Sequence, residues 1–208
     1  MAKQASAYFK ISAVSAIYMI LCFFAFYDIA IPYKIAFPAI SLFISALWVS
    51  PWQIATAIIL FASSDIMRAQ GNFPLQAGAY GIAAIFISWF FITRFFKMNG
   101  KASVGNIILT TLLVIGICAL ELFIIIPQVP EGTLRHGAVA YAIITSVLLW
   151  CALLQKDLVY ALTGLAFTFS SIMLAWNKYI SDVPYAVYLT YIPYYISILI
   201  SFIRSSKI

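Results

Sequence analysis

The chain has 208 residues, 65% of them hydrophobic and only 9% charged, against roughly a quarter charged in an ordinary soluble domain. That balance excludes a soluble globular protein and places the chain in a bilayer. The formal charge of +6 does not point to a nucleic-acid partner, because the basic residues are scattered along the chain and form no patch.

Apolar stretches of about the 20-residue length that crosses a hydrocarbon core predict eight spans, at 8–27, 31–49, 52–67, 77–96, 104–126, 136–154, 158–176 and 183–203. The expected fold is all-α, a polytopic membrane protein. The first stretch follows Lys3 and Lys10 and carries no small-residue cleavage pattern, so it is expected to stay as a span and not be removed as a secretory signal. Only Ser50-Pro51 separates the second and third stretches, which predicts a tight hairpin. None of the spans shows the Gly/Pro interruption expected of the broken helices that bind substrate in transporters.

Span three ends in "FASSDIMRAQGNF", which puts a carboxylate, Asp65, on an otherwise apolar run. An ionisable group inside a span costs on the order of 3 kcal/mol on insertion scales and normally faces the bundle interior or a water-filled cavity. Two readings stay open from the residues alone: Asp65 faces such a cavity, or span three ends just before it and it is solvated or pairs with Arg68, three residues on. In span five Glu121 lies deep in TLLVIGICALELFIII, with Pro127 still ahead. Counted from the cytoplasmic ends, Asp65 lies roughly 14 and Glu121 roughly 17 residues in, similar depths at about 1.5 Å per residue. The two acids are therefore candidates for one cavity. The alternative is that Glu121 pairs with a backbone group or snorkels alone.

Other chemistry-bearing residues are sparse. Cys22, Cys118 and Cys151 all fall inside spans without metal-like spacing and read as packing residues. His136, the single histidine, follows Arg135 in the PEGTLRH loop and reads as a solvated loop residue, and no metal site or cofactor is expected. There is no nucleophile elbow, phosphate-binding glycine loop or dinucleotide fingerprint. In the last span Tyr185 and Tyr188 suit interfacial anchors. Tyr194 and Tyr195 lie deeper, where a hydroxyl needs a partner and suits a polar pocket.

The phrase "FTFSSIMLAWNKY" at 167–179 repeats the end of span three at an offset of 106 residues, which carries Phe61 onto Phe167, Ser64 onto Ser170, Ile66 onto Ile172, Met67 onto Met173 and Ala69 onto Ala175. Asp65 falls on Ser171. The offset is close to half the chain and relates spans three and seven, which run in the same direction. It predicts a single integral membrane domain over 1–208, built of two parallel four-helix repeats at about 1–100 and 101–208. With the N-terminus inside, Lys3, Lys10, Arg94, Lys97, Lys101, Lys156, Arg204 and Lys207 are cytoplasmic, leaving Lys34, Arg68, Arg135 and Lys178 outside. This satisfies the positive-inside rule with both termini cytoplasmic, as expected for a protein of a bacterial inner membrane.

"GLAFTFSSIMLAWNKYISDVPYAVYLTYIPYYISILI" resembles the second signature of the YhhN-type lysoplasmalogenase family: a glycine, an apolar turn with phenylalanine, Ser-Asp, a small apolar run to Leu-Ala, an aromatic, then Tyr-Tyr before Ala-Gln. "ILFASSDIMRAQGNFPLQAGAYGIAAIF" resembles the first signature, and "IIPQVPEGTLRHGAVAYA" is similar to the family's proline, loop and Val-x-Tyr start of span six. These cover most of residues 54–200, and eight spans is the family's architecture. The resemblance implies hydrolysis of the vinyl ether bond of lysoplasmalogen to a fatty aldehyde and a glycerophospho head group, by a pair of intramembrane aspartates. A vinyl ether is cleaved by protonating carbon to give an oxocarbenium-like ion that water attacks, so one neutral acid and one water-activating carboxylate suffice, as in glycoside hydrolysis. The partners implied are a single-chain lipid and the bilayer.

The departures bear on activity. Asp65 matches the first aspartate, but Ser171 stands at the second, Phe86 where the first-half histidine would be, and Ile198 where the glutamine after Tyr-Tyr would be. The catalytic candidates are therefore Asp65, Glu121 as a substitute partner, and Ser171. The substrate-binding candidates are Tyr141, Asn177, Tyr194 and Tyr195. A non-catalytic lipid-binding relative and a small-solute or lipid transporter are the alternative readings.

Overall fold

The computed structural model describes residues 2–27, 30–97 and 103–206, with the side chains of residues 2–9 excepted. Eight α-helices account for almost all of them: α1 (Ala2–Phe26), α2 (Phe37–Val49), α3 (Trp52–Ala69), α4 (Phe73–Lys97), α5 (Val104–Leu120), α6 (Thr133–Leu153), α7 (Leu158–Tyr179) and α8 (Ala186–Ser205). They fall on the eight apolar stretches of the sequence. Five segments are long and apolar enough to cross a membrane: α4, α5 with its continuation to Gln128, α6, α7 and α8. α2 has 13 residues and reaches about 20 Å at 1.5 Å per residue, short of a hydrocarbon core of about 30 Å. Of the basic residues used for topology, Lys101 and Lys207 and the side chain of Lys3 lie outside the described residues.

The chain forms two compact units, Met1–Phe86 with Ile198–Ile208, and Ile87–Ser197. In the first, α1 packs on α2 and α2 on α3. The hairpin expected at Ser50-Pro51 is present, with Ser50 closing α2 through its N–H to the Ala46 carbonyl and Pro51 opening α3. α3 ends on Gly71, whose φ of +73° lies in the left-handed region. Gly71 N–H donates to Arg68 O at 2.8 Å and Asn72 N–H to Met67 O at 2.9 Å, the paired bonds of a glycine-terminated helix. The Asn72 side chain then accepts the N–H of Leu75 at 3.3 Å, so the same two residues stop α3 and start α4.

In the second unit α5 packs on α6 and α6 on α7. Ser103 caps α5 by accepting the Asn106 N–H, and Asp157 caps α7 by accepting the Val159 N–H at 2.9 Å. The Trp150 indole N–H donates to Thr111 Oγ1 at 3.0 Å, tying α6 to α5. α7 buries Tyr160, Thr163, Gly164, Phe167, Thr168, Ser170 and Ser171, a stripe at three- and four-residue spacing. A Cβ on Gly164 would lie 2.6 Å from Ala152 Cβ, so glycine is what lets α6 and α7 approach there.

Two irregularities correct the expectation of uninterrupted spans. α5 does not run on as an α-helix: Glu121–Ile125 is a π turn followed by a 3-10 turn, Ile126–Gln128. Pro127 has no N–H to return to the carbonyl four residues back, and ahead of it the Ile126 N–H reaches five residues back to Glu121 O. α8 contains Pro193, which withdraws an amide donor from its interior.

Candidate functional site

Asp65 sits on α3 at 1% exposure, so it is not solvated at the span end. The preceding Ser64, also buried, donates its hydroxyl to the Gln76 carbonyl on α4 at 3.0 Å and fixes the rotation of α3 at this level. α1 brings Cys22 within electrostatic reach of Asp65, and Cys22 shares a side-chain hydrogen bond with Tyr18 one turn earlier. Phe61, one turn below Asp65, meets Tyr80 edge to face with centroids 5.1 Å apart. Phe86 packs edge to face on Trp52 at 5.7 Å, and Ile198 is buried.

The remaining candidates lie in the second unit. Glu121 stands at the first residue of the π turn, a kind of bulge that recurs at functional sites because it turns side chains out of the regular helical register. It is 6% exposed, and its Oε1 has no hydrogen-bond partner among the described residues. Oxygens buried in this state are rare in folded proteins. The neighbour that feels Glu121 electrostatically is Tyr141 on α6. Tyr141 Oη lies 2.9 Å from Ser171 Oγ on α7, and Ser171 Oγ donates to the Phe167 carbonyl at 3.0 Å. A serine hydroxyl has one proton and a carbonyl can only accept, so Tyr141 is the donor to Ser171.

The α6–α7 seam continues this polarity. Thr145, one turn from Tyr141, is buried and bonds to carbonyls of its own helix, Tyr141 O and Ala142 O. Thr168, one turn from Ser171, is buried with Oγ1 lacking a hydrogen-bond partner among the described residues, and Ser146 Oγ is in the same state. Ser170 donates to the Thr190 carbonyl of α8 at 2.7 Å.

The substrate-binding candidates divide. Tyr141 joins Glu121 and Ser171. Asn177 spends its Oδ1 on the Val183 N–H at 2.9 Å and holds the loop between α7 and α8. Tyr194 and Tyr195 are buried and form a ring cluster with Tyr191, with centroids 5.2 to 6.1 Å apart. Tyr185 and Tyr188 are exposed. His136 is exposed and donates Nδ1–H to the Gly132 carbonyl at 2.8 Å. Beside it Arg135 holds the α5–α6 loop through Val129 O, Pro127 O and an ion pair with Glu131 at 3.2 Å. Among the described residues no cluster of His, Cys, Asp and Glu could hold a metal ion.

Sequence reasoning missed Tyr18, Cys22, Ser146 and Thr168. Thr168 carried a usable signal, its three-residue spacing from Ser171 on one face of α7; Cys22 and Ser146 carried none above their apolar surroundings.

Compared with known protein families, residues 7–201 match the YhhN family. The chain belongs to that family. The YhhN family includes lysoplasmalogenases. Comparison with curated proteins and with solved structures gives no match.

Proposed function

We propose that this YhhN family member hydrolyses the vinyl ether bond of a single-chain lipid of the lysoplasmalogen type, with Glu121 supplying the carboxyl that Ser171 does not. The observation that carries the reading is Glu121 Oε1, buried and without a hydrogen-bond partner among the described residues, within electrostatic reach of the tyrosine of the Tyr141–Ser171 pair. In the reaction a carboxyl proton passes to the outer carbon of the vinyl ether, leaving an oxocarbenium ion at the carbon that bears oxygen. Water adds there and returns a proton to a carboxylate. The resulting hemiacetal breaks its bond to the glycerol oxygen, giving the aldehyde and the free hydroxyl. Proton donation and water activation are each worth about 10²–10⁴-fold. Turnover is proposed to depend on Asp65 as well as Glu121, because one carboxyl does not readily hold both roles at once.

In this reading the apolar and aromatic residues of the spans bind the acyl chain, with Tyr194 and Tyr195 on its path, and Asn177 acts by holding the α7–α8 loop. The eight helices are eight spans in two parallel repeats, with both termini cytoplasmic in a bacterial inner membrane. The repeat is supported by Ser64 and Ser170, which stand in matched phrases and each donate to a carbonyl of the following helix. The test is aldehyde release from lysoplasmalogen by purified protein, alongside saturable lysophospholipid binding. Binding without aldehyde release leaves the non-catalytic relative. A second reading, transport, gains from the departure from regular α-helix at Glu121, since interrupted helices serve ion and solute sites. Uptake of a polar solute into liposomes without lysophospholipid binding would favour it.

A further inference from the structure

The hydroxyls of Tyr141 and Ser171 form a chain with a fixed direction. Ser171 gives its proton to Phe167 O at 3.0 Å, and Tyr141 gives its own to Ser171 at 2.9 Å. Neither proton is given to Glu121, which lies within electrostatic reach of Tyr141 and whose Oε1 receives no hydrogen bond among the described residues. A buried hydroxyl must find an acceptor. The π turn that carries Glu121 packs against both α6 and α7, so without Ser171 the charged acceptor within electrostatic reach of Tyr141 is that carboxyl oxygen.

We propose that Ser171 is a positioning residue: it draws the Tyr141 proton away from Glu121 and so keeps Oε1 open to the substrate or to water. This rests on reading Glu121 as the reacting carboxyl. Ser171 then has a role that needs no charge, which explains how a hydroxyl can occupy this place beside a working acid. Any side chain at 171 that accepts from Tyr141 preserves the arrangement, a carboxylate included. A side chain that cannot accept reverses it, and Tyr141 becomes a donor to Glu121 that competes with the ligand. Removing the tyrosine hydroxyl as well abolishes the competition, so the second substitution repairs the first.

The experiment compares wild type, Ser171→Ala, Tyr141→Phe and the double variant Tyr141→Phe/Ser171→Ala, with Ser171→Thr as the conservative control and thermal unfolding measured for each. The first readout is the infrared band of the Glu121 carboxyl group in the detergent-solubilised protein, assigned by its loss in Glu121→Gln. It is expected to shift in Ser171→Ala as Oε1 gains a donor, to return to its wild-type place in the double variant, and to stay there in Ser171→Thr. The second readout is aldehyde release, expected to fall about tenfold or more in Ser171→Ala, within the range for a disturbed acid, and to recover in the double variant. A merely structural role for Ser171 predicts the opposite, a double variant no better than Ser171→Ala. A band that does not move in Ser171→Ala overturns the proposal. If the band moves and returns as expected while wild type releases no aldehyde, the hydrogen-bond direction is right and the proposed activity is wrong.

Discussion

On α3, Ser64 donates to a carbonyl of α4 and is followed by the buried Asp65; on α7, Ser170 donates to a carbonyl of α8 and is followed by the buried Ser171. The anchoring bond is the same in both, and the residue it presents is not. Positions 106 residues apart sharpen the contrast: Ala62 answers to Thr168, and Ile58 to Gly164. α3 therefore concentrates its polarity in one carboxyl with Tyr18 and Cys22 of α1 at hand. α7 spreads its polarity over hydroxyls, and a buried carboxyl of that unit, Glu121, stands on the π turn that follows α5. A serine in place of an aspartate at one of two matched positions leaves a buried carboxyl in the unit when a neighbouring segment carries one.

The largest effect expected from breaking this comparison is on catalysis. Asp65→Asn and Glu121→Gln should each reduce aldehyde release by about 10²–10⁴-fold. The double variant should fall well short of the product of the two, since groups acting as a unit lose activity non-additively. Full multiplicative losses, read from initial rates, would separate the two carboxyls. Restoring the acid on α7 is the converse. Ser171→Asp keeps an acceptor for Tyr141 and adds a carboxylate, so it should raise aldehyde release by up to about 10²-fold, the lower end of the range for a positioned acid or base. No increase would mean that Phe86 and Ile198 also matter, and those become the next positions to restore.

Packing gives the next effect. Gly164→Ala puts a Cβ 2.6 Å from that of Ala152, and neither group can swing away. Overpacking of this kind costs about 1–3 kcal/mol, which should appear as a lower unfolding temperature in detergent. An unchanged temperature would show that the α6–α7 approach is slack. The smallest effect concerns the anchors. Ser64→Ala and Ser170→Ala each remove one buried donor to a carbonyl, worth about 1 kcal/mol. Losses of similar size support equivalent roles in two repeats, whereas a loss at only one position breaks the equivalence.

Much of this fold could be read from the sequence because its determinants are local. The two-residue break at Ser50-Pro51 and the glycine after α3 mark helix ends that depend on backbone chemistry alone, and both are where the chain turns. The depth of Glu121 in its span was legible from the apolar residues on either side of it, but not whether it snorkels outward or faces inward. Its π turn was not, because Pro127 removes a hydrogen bond without saying how the preceding helix will compensate. Asp65 looked equally suited to a solvated helix end, since nothing within α3 announces the α1 residues Tyr18 and Cys22. The Tyr141–Ser171 bond joins residues 30 apart and depends on how two helices are phased against each other. Asn177 drew attention by its place in a familiar phrase, and its bond to the Val183 amide gives it a loop-holding role.

The central claim is that Glu121 is the working acid of the second unit. It is tested most directly by measuring aldehyde release from lysoplasmalogen with wild-type protein and Glu121→Gln, prepared in parallel with matched unfolding temperatures and lysophospholipid binding. The account predicts release by wild type and a loss of about 10²-fold or more in Glu121→Gln with binding retained. Wild-type activity that survives Glu121→Gln intact would contradict it.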